Sequence, residues 1–258
     1  MSNYLVIKTT LCIYILTTLV HLFLLTFSNG RSLIGLTMII PLLSVFLMQK
    51  IGASLPIVYS FAFKKPKWNW LLASIVMPIL MGGSIHLYFL YTNRGTFLVT
   101  SIADLFPLIL IGLTISTLSA LLEEIVWRGN FHFYLRQYYG LWQTACITGA
   151  IWSLWHLPIA LFYKSYNMPF LGVIIFLLLL YGISLILSLF REYGQSIMPV
   201  AILHGMMNVF FLSDGYQMSV SLDVQEGVKG AIILLLSVCF FLSRHIFVTY
   251  TIKRRILQ

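Results

Sequence analysis

Hydrophobic positions in this chain form long continuous runs and do not alternate with polar ones. Eight runs stand out: residues 9–27, 33–48, 70–91, 106 to about 122, 141–162, 170–190, 197–212 and 228–248. A helix needs ~20 mostly apolar residues to cross ~30 Å of hydrocarbon, and most of the runs approach that length. The second and seventh are short, so tilt, local thinning or flanking residues must extend them. The fourth continues into a polar stretch ending near Gln137. Unbroken apolar runs predict helices, whereas a membrane barrel would alternate. The expected fold is therefore all-α: a polytopic bundle of about eight transmembrane helices in one integral membrane domain over residues 1–258. Residues 51–63 are apolar but too short to span, and read as an interfacial or re-entrant piece. The first run leads into Ser28-Asn29-Gly30-Arg31, not a small-x-small cleavage site, and reads as a retained helix.

Composition fits lipid as part of the solvent. Charged residues make up 9% of the chain, against about 25% in soluble domains. The formal charge of +9 does not point to nucleic acid, because the basic residues sit at the ends of apolar runs and form no polar face. With the N-terminus inside, Lys8, Lys50, Lys64, Lys65, Lys67, Arg136, Arg191, Lys253, Arg254 and Arg255 fall on the cytosolic side, and Arg244 can snorkel there. Arg31, Arg94, Lys164 and Lys229 fall opposite, with Asp104, Asp214, Asp223 and Glu226. This is the positive-inside asymmetry, and it predicts two cytosolic termini. Cys12, Cys146 and Cys239 lie within apolar runs without CxxC spacing, and are expected as buried small hydrophobes.

Of the seven carboxylates, Glu123 and Glu124 alone lie within a strongly apolar helical run. Each ionised group near a helix centre costs roughly 2.5–3.5 kcal/mol on insertion scales and needs a partner. Glu124 and Arg128 stand at i, i+4 in the favourable order and account for each other. Glu123 points about 100° away around the helix, without a local partner. His156 and His204 lie on other runs, and Asn208 shares the face of His204 one turn on. A carboxylate, two imidazoles and a carboxamide suffice for hydrolysis: a base for water, a group to hold it and donors for an oxyanion. Their depths agree. His156 lies about 15 residues, roughly 22 Å, from the cytosolic start of its helix. Asn208 and Glu123 come out at roughly 21 and 20 Å.

At these residues the chain resembles the CPBP family of intramembrane proteases (CAAX-processing and bacteriocin-processing, or Abi). The matching motifs are Glu123-Glu124-Ile125-Val126-Trp127-Arg128, Trp152-Ser153-Leu154-Trp155-His156 and His204-Gly205-Met206-Met207-Asn208. They occur in the family's order, and the expected catalytic core is about 106–212. One departure is Trp152, where the family usually has Phe, a change expected to affect packing more than chemistry. The resemblance implies an endopeptidase in which Glu123 and His156 activate water while His204 and Asn208 stabilise the oxyanion, with Glu124 and Arg128 in support. It implies hydrophobic or lipidated peptide substrates, membrane lipids as partners and a bacterial cell membrane as location.

No cofactor is required on this reading. The alternative is zinc on Glu123, His156 and His204, since Glu plus two His with an open position suits that ion. The other function classes are a non-catalytic bacteriocin-immunity or scaffold protein on the same fold and a membrane transporter, for which no repeat or matched pair of broken helices speaks. There is no GxSxG, no HExxH and no aspartate pair within the spans. Substrate entry is expected from the cytosolic side or the inner leaflet.

Overall fold

The computed structural model describes residues 2–52, 62, 64–95, 101–213 and 219–242. The interfacial piece expected at 51–63 lies mostly outside the described residues, as do Asp214, Arg244 and the basic C-terminal segment. The described chain is a helix bundle. Seven helices are long and apolar enough to span a membrane: α1 (Tyr4–Leu24), α2 (Gly30–Lys50), α3 (Trp68–Tyr91), α4 (Ala103–Leu135), α5 (Leu141–Phe162), α6 (Pro169–Gly194) and, after a shorter helix α7 (Met198–Leu212), α8 (Leu222–Leu242). Among the described residues a helix stands at each of the eight expected segments, the end of the last (243–248) lying outside them.

The two short runs solve their length problem differently. In α2, residues Gly30–Ile39 wind as a 3₁₀ helix before the α-helix Ile40–Lys50 begins. At about 2.0 Å per residue for the tighter winding and 1.5 Å for the rest, α2 reaches about 36 Å. At about 22 Å, α7 stays short, but it is wrapped by protein: Pro199, Val200, Ala201, Leu203, His204, Gly205, Met206 and Met207 are all buried. Lipid thickness therefore does not constrain it.

Side-chain pattern decides which face of each helix meets protein. On α1, Ile7, Leu11, Ile15, Leu19 and Leu22 form an exposed apolar stripe, while Val6, Thr9, Ile13, Thr17 and His21 are buried. The polar residues thus turn inward. Lipid tails solvate the apolar stripe as well as protein would, so small and hydrogen-bonding groups make the helix contacts. Trp155 Nε1 donates to Thr17 Oγ1 at 2.8 Å, and Tyr14 Oη donates to the Ile151 carbonyl at 2.8 Å. Cys146 and Cys239 lie on the exposed side and Cys12 is half-buried, so the expectation of buried thiols fails: their helix phase puts two of them towards lipid.

Two packing arrangements position the site. Helix α6, half buried, packs against α5 and α8, and α7 packs against α3 and α4. Gly205 lets α7 approach α4 closely, since a Cβ there would lie 2.5 Å from the Thr117 backbone nitrogen. The Ser116 hydroxyl donates to the Gly205 carbonyl at 2.9 Å across the same contact. π-helical turns interrupt α4 at Gly112–Ser116 and Ile125–Phe131, and α7 at Asn208–Leu212. Such turns add a residue per turn and are frequent at functional sites.

Candidate active site

The residues singled out in the sequence converge. Glu123, His156, His204 and Asn208, carried by α4, α5 and α7, line one cavity of about 320 Å³ together with Trp152. Glu123, His156 and His204 are each less than a tenth exposed.

Glu124 is the ionic anchor. Arg128 Nη1 donates to both its oxygens, at 2.8 and 3.1 Å, and neither side chain has any exposure. Arg128 Nη2 donates to Ser184 Oγ of α6 at 2.6 Å. The i, i+4 pair expected from sequence is thus formed and tied to a third helix. Glu124 Oε1 also lies 2.7 Å from His204 Nδ1. A carboxylate accepts, so Nδ1 carries a proton and Nε2 is the ring nitrogen left for the cavity.

Glu123 is left out of this cluster, as its helix position predicts. It accepts a hydrogen bond from Trp152 Nε1 at 2.9 Å through Oε2, the sole hydrogen bond to this side chain among the described residues. His156 sits where α5 breaks before Pro158, and its Nδ1 lies 2.9 Å from the Trp152 carbonyl. That oxygen can only accept, so the proton is on Nδ1 and the neutral ring presents an Nε2 lone pair. Asn208 lines the cavity and makes no side-chain hydrogen bond among the described residues. The arrangement offers one carboxylate oxygen, one imidazole lone pair and one carboxamide to a bound group.

The expectation for Trp152 needs correction. Its indole does more than pack: it bonds Glu123, stacks against the Arg128 guanidinium (4.8 Å from ring centroid to Cζ) and meets the His156 and His204 rings edge-on at 4.8 and 5.4 Å. An aromatic four residues before a histidine was visible in the sequence, but the reach of its N–H to another helix was not. Ser184 gave no signal at all.

The cavity also has a direction along the bundle. Its remaining wall includes Met38, Lys164, Ser213, Glu226 and Lys229. Lys164 follows α5, Ser213 follows α7 and Glu226 opens α8, so the cavity runs towards the bundle end opposite Arg136 and Gly194. The basic-residue asymmetry predicts that this end faces away from the cytosol, whereas substrate entry is expected from the cytosolic side. Asp223, Glu226 and Lys229, placed there by the sequence, are buried, and Lys164 is half-buried. Lys164 Nζ meets Glu226 Oε1 at 2.6 Å, and Tyr166 Oη donates to Glu226 Oε2 at 2.8 Å. Asp223 accepts from the Asn167 backbone N–H at 2.9 Å. These bonds pin the start of α8 to the segment between α5 and α6.

At the opposite end, Glu192 accepts from Arg136 Nη2 at 2.8 Å and lies 3.2 Å from His132 Nε2. That hydrogen bond to Glu192 holds the Arg136 guanidinium above its ordinary range, against the opposing effect of burial.

A three-ligand zinc site needs its donor atoms about 2.0–2.2 Å from one point. Among the described residues, no three His, Cys, Asp or Glu side chains are grouped to hold an ion.

Residues 104–210 match the family model described as type II CAAX prenyl endopeptidase, Rce1-like. The chain is also 31% identical over 119 residues to CAAX prenyl protease 2 of Methanococcus maripaludis, covering 46% of this chain. It spans 39% of the length of that curated relative. The range 104–210 includes the cavity-lining residues Glu123, Trp152, His156, His204 and Asn208.

Proposed function

We propose that this integral membrane protein, whose residues 104–210 match the Rce1-like CAAX prenyl endopeptidase model, is an intramembrane endopeptidase using glutamate-activated water. One observation carries the reading: Glu123, His156, His204 and Asn208 line the same cavity while Glu124 is taken up by Arg128 and His204. The two adjacent glutamates thereby have different work.

In the proposed reaction, Glu123 Oε1 takes a proton from a water held by His156 Nε2, and the hydroxide adds to the scissile carbonyl. The Asn208 carboxamide donates to the oxyanion, a contribution strongest where water is excluded. His204 donates through Nε2 when it carries both protons. Glu123, Glu124, Arg128 and His204 then sum to zero charge, which suits a site closed to solvent. The proton held by Glu123 passes to the leaving amine as the C–N bond breaks. No step requires a metal ion.

The substrate class follows from the surroundings. A backbone carbonyl must reach a cavity inside an apolar bundle, which a chain with a hydrophobic or prenylated end does at least cost. We assign cleavage near the hydrophobic terminus of a membrane-associated peptide. The test is mass spectrometry of prenylated and unprenylated peptides incubated with the purified protein in liposomes. Cleavage near the apolar end, abolished by Glu123→Gln, is the expected result. Absence of any cleavage, or full activity in Glu123→Gln, refutes it.

A further inference from the structure

Trp152 occupies the centre of the site without facing a substrate role of its own. It has no exposure, its single donor is spent on Glu123 Oε2, and its ring is held by the Arg128 guanidinium and by the edges of both histidines. The terminal torsion of a glutamate is broad and roughly two-fold, so an unrestrained carboxylate would present either oxygen at varying angles. Among the described residues Glu123 has no other hydrogen bond that could fix it. The indole N–H therefore decides which oxygen is occupied and which is left for the cavity.

We propose that Trp152 is the positioning residue of the water-activating pair: its N–H holds Glu123 Oε2 so that Oε1 is presented to water. Its backbone carbonyl takes the His156 Nδ1 proton at 2.9 Å, so the same residue sets the base's oxygen and the tautomer of its companion. One residue thus orients two helices' worth of chemistry. The role rests on the hydrolytic reading above. It acts through Glu123 and His156 and makes no contact with the reacting atoms.

Trp152→Phe keeps an aromatic ring and the backbone carbonyl but deletes the N–H. Misplacing a reacting group by about 1 Å can cost about 100-fold. The expected result is a kcat lower by up to about 100-fold, with KM within about twofold and a small change in melting temperature. A purely structural tryptophan would instead lose kcat and thermal stability together, or neither. A second measurement is independent of turnover. With ¹⁵N-labelled indole, the Trp152 resonance is identified by its loss in Trp152→Phe, and it should move in Glu123→Gln, where a neutral amide replaces the carboxylate acceptor. An active wild type with unchanged kcat in folded Trp152→Phe overturns the positioning role alone. If Trp152→Phe does not fold, finding that none of the six tryptophan indole signals moves in Glu123→Gln overturns it. A wild type that cleaves no peptide overturns the hydrolytic reading and this role with it.

Discussion

Substitution of Glu124 by glutamine takes one negative charge out of a site that excludes water. Arg128, without exposure, would keep Ser184 as partner but lose the carboxylate that meets Nη1 at 2.8 and 3.1 Å. The amide nitrogen of the new glutamine would also face a donor, either Arg128 Nη1 or His204 Nδ1. Removing one member of a buried ion pair costs about 3–5 kcal/mol. At about 2–4 °C per kcal/mol for a chain of this size, the melting temperature should fall by about 6–20 °C. Glu123→Gln is the matched control. Its amide oxygen still accepts from Trp152, and no cation is hydrogen-bonded to Glu123. Its cost should stay below about 1 kcal/mol, or about 2–4 °C, while activity falls about 10²–10⁴-fold with the loss of the base. Thermal denaturation in detergent, followed by size-exclusion chromatography, reads the first quantity and peptide cleavage the second. Equal melting temperatures for the two variants would refute the division of roles between the glutamates.

Gly205→Ala should destabilise by about 1–3 kcal/mol and reduce cleavage, because the added methyl would lie 2.5 Å from Thr117 N and push α7, with His204 and Asn208, off α4; unchanged stability and activity would show that the contact yields freely. Reporter fusions after Lys67, Arg94 and Gln258 should report cytosolic, external and cytosolic, and an external C-terminus would overturn the orientation taken from the basic residues. Active purified protein should contain no stoichiometric zinc and should survive chelation; activity lost to a chelator and restored by zinc would replace the metal-free mechanism. Glu192→Gln should cost less than about 1 kcal/mol in thermal denaturation, because the Glu192–Arg136 pair is about a third exposed. A loss as large as that of Glu124→Gln would contradict this.

The chain's sequence was sufficient for the properties that depend on nearby residues. Span positions follow from the local run of apolar side chains, because crossing lipid is a matter of length and hydropathy. The Glu124–Arg128 pair follows from helical spacing, and so does the separation of Glu123 from it. The grouping of His156, His204 and Asn208 was legible because charged or polar groups inside a bundle must converge on one another or on a ligand. Relations between helices were not legible, since they depend on rotation about each axis. A π turn adds a residue and rotates every later side chain by about 100°, and three such turns lie in α4 and α7. Apolar periodicity does not reveal them, because these helices are apolar on almost every side. The tertiary fold therefore decided that His204 bonds Glu124, that Trp152 holds Glu123, that Ser184 anchors Arg128, and that the cavity leads towards Lys164 and away from Arg136. Hydrogen bonds need donor and acceptor within about 3 Å, and only the packed helices bring groups from distant parts of the chain to that separation.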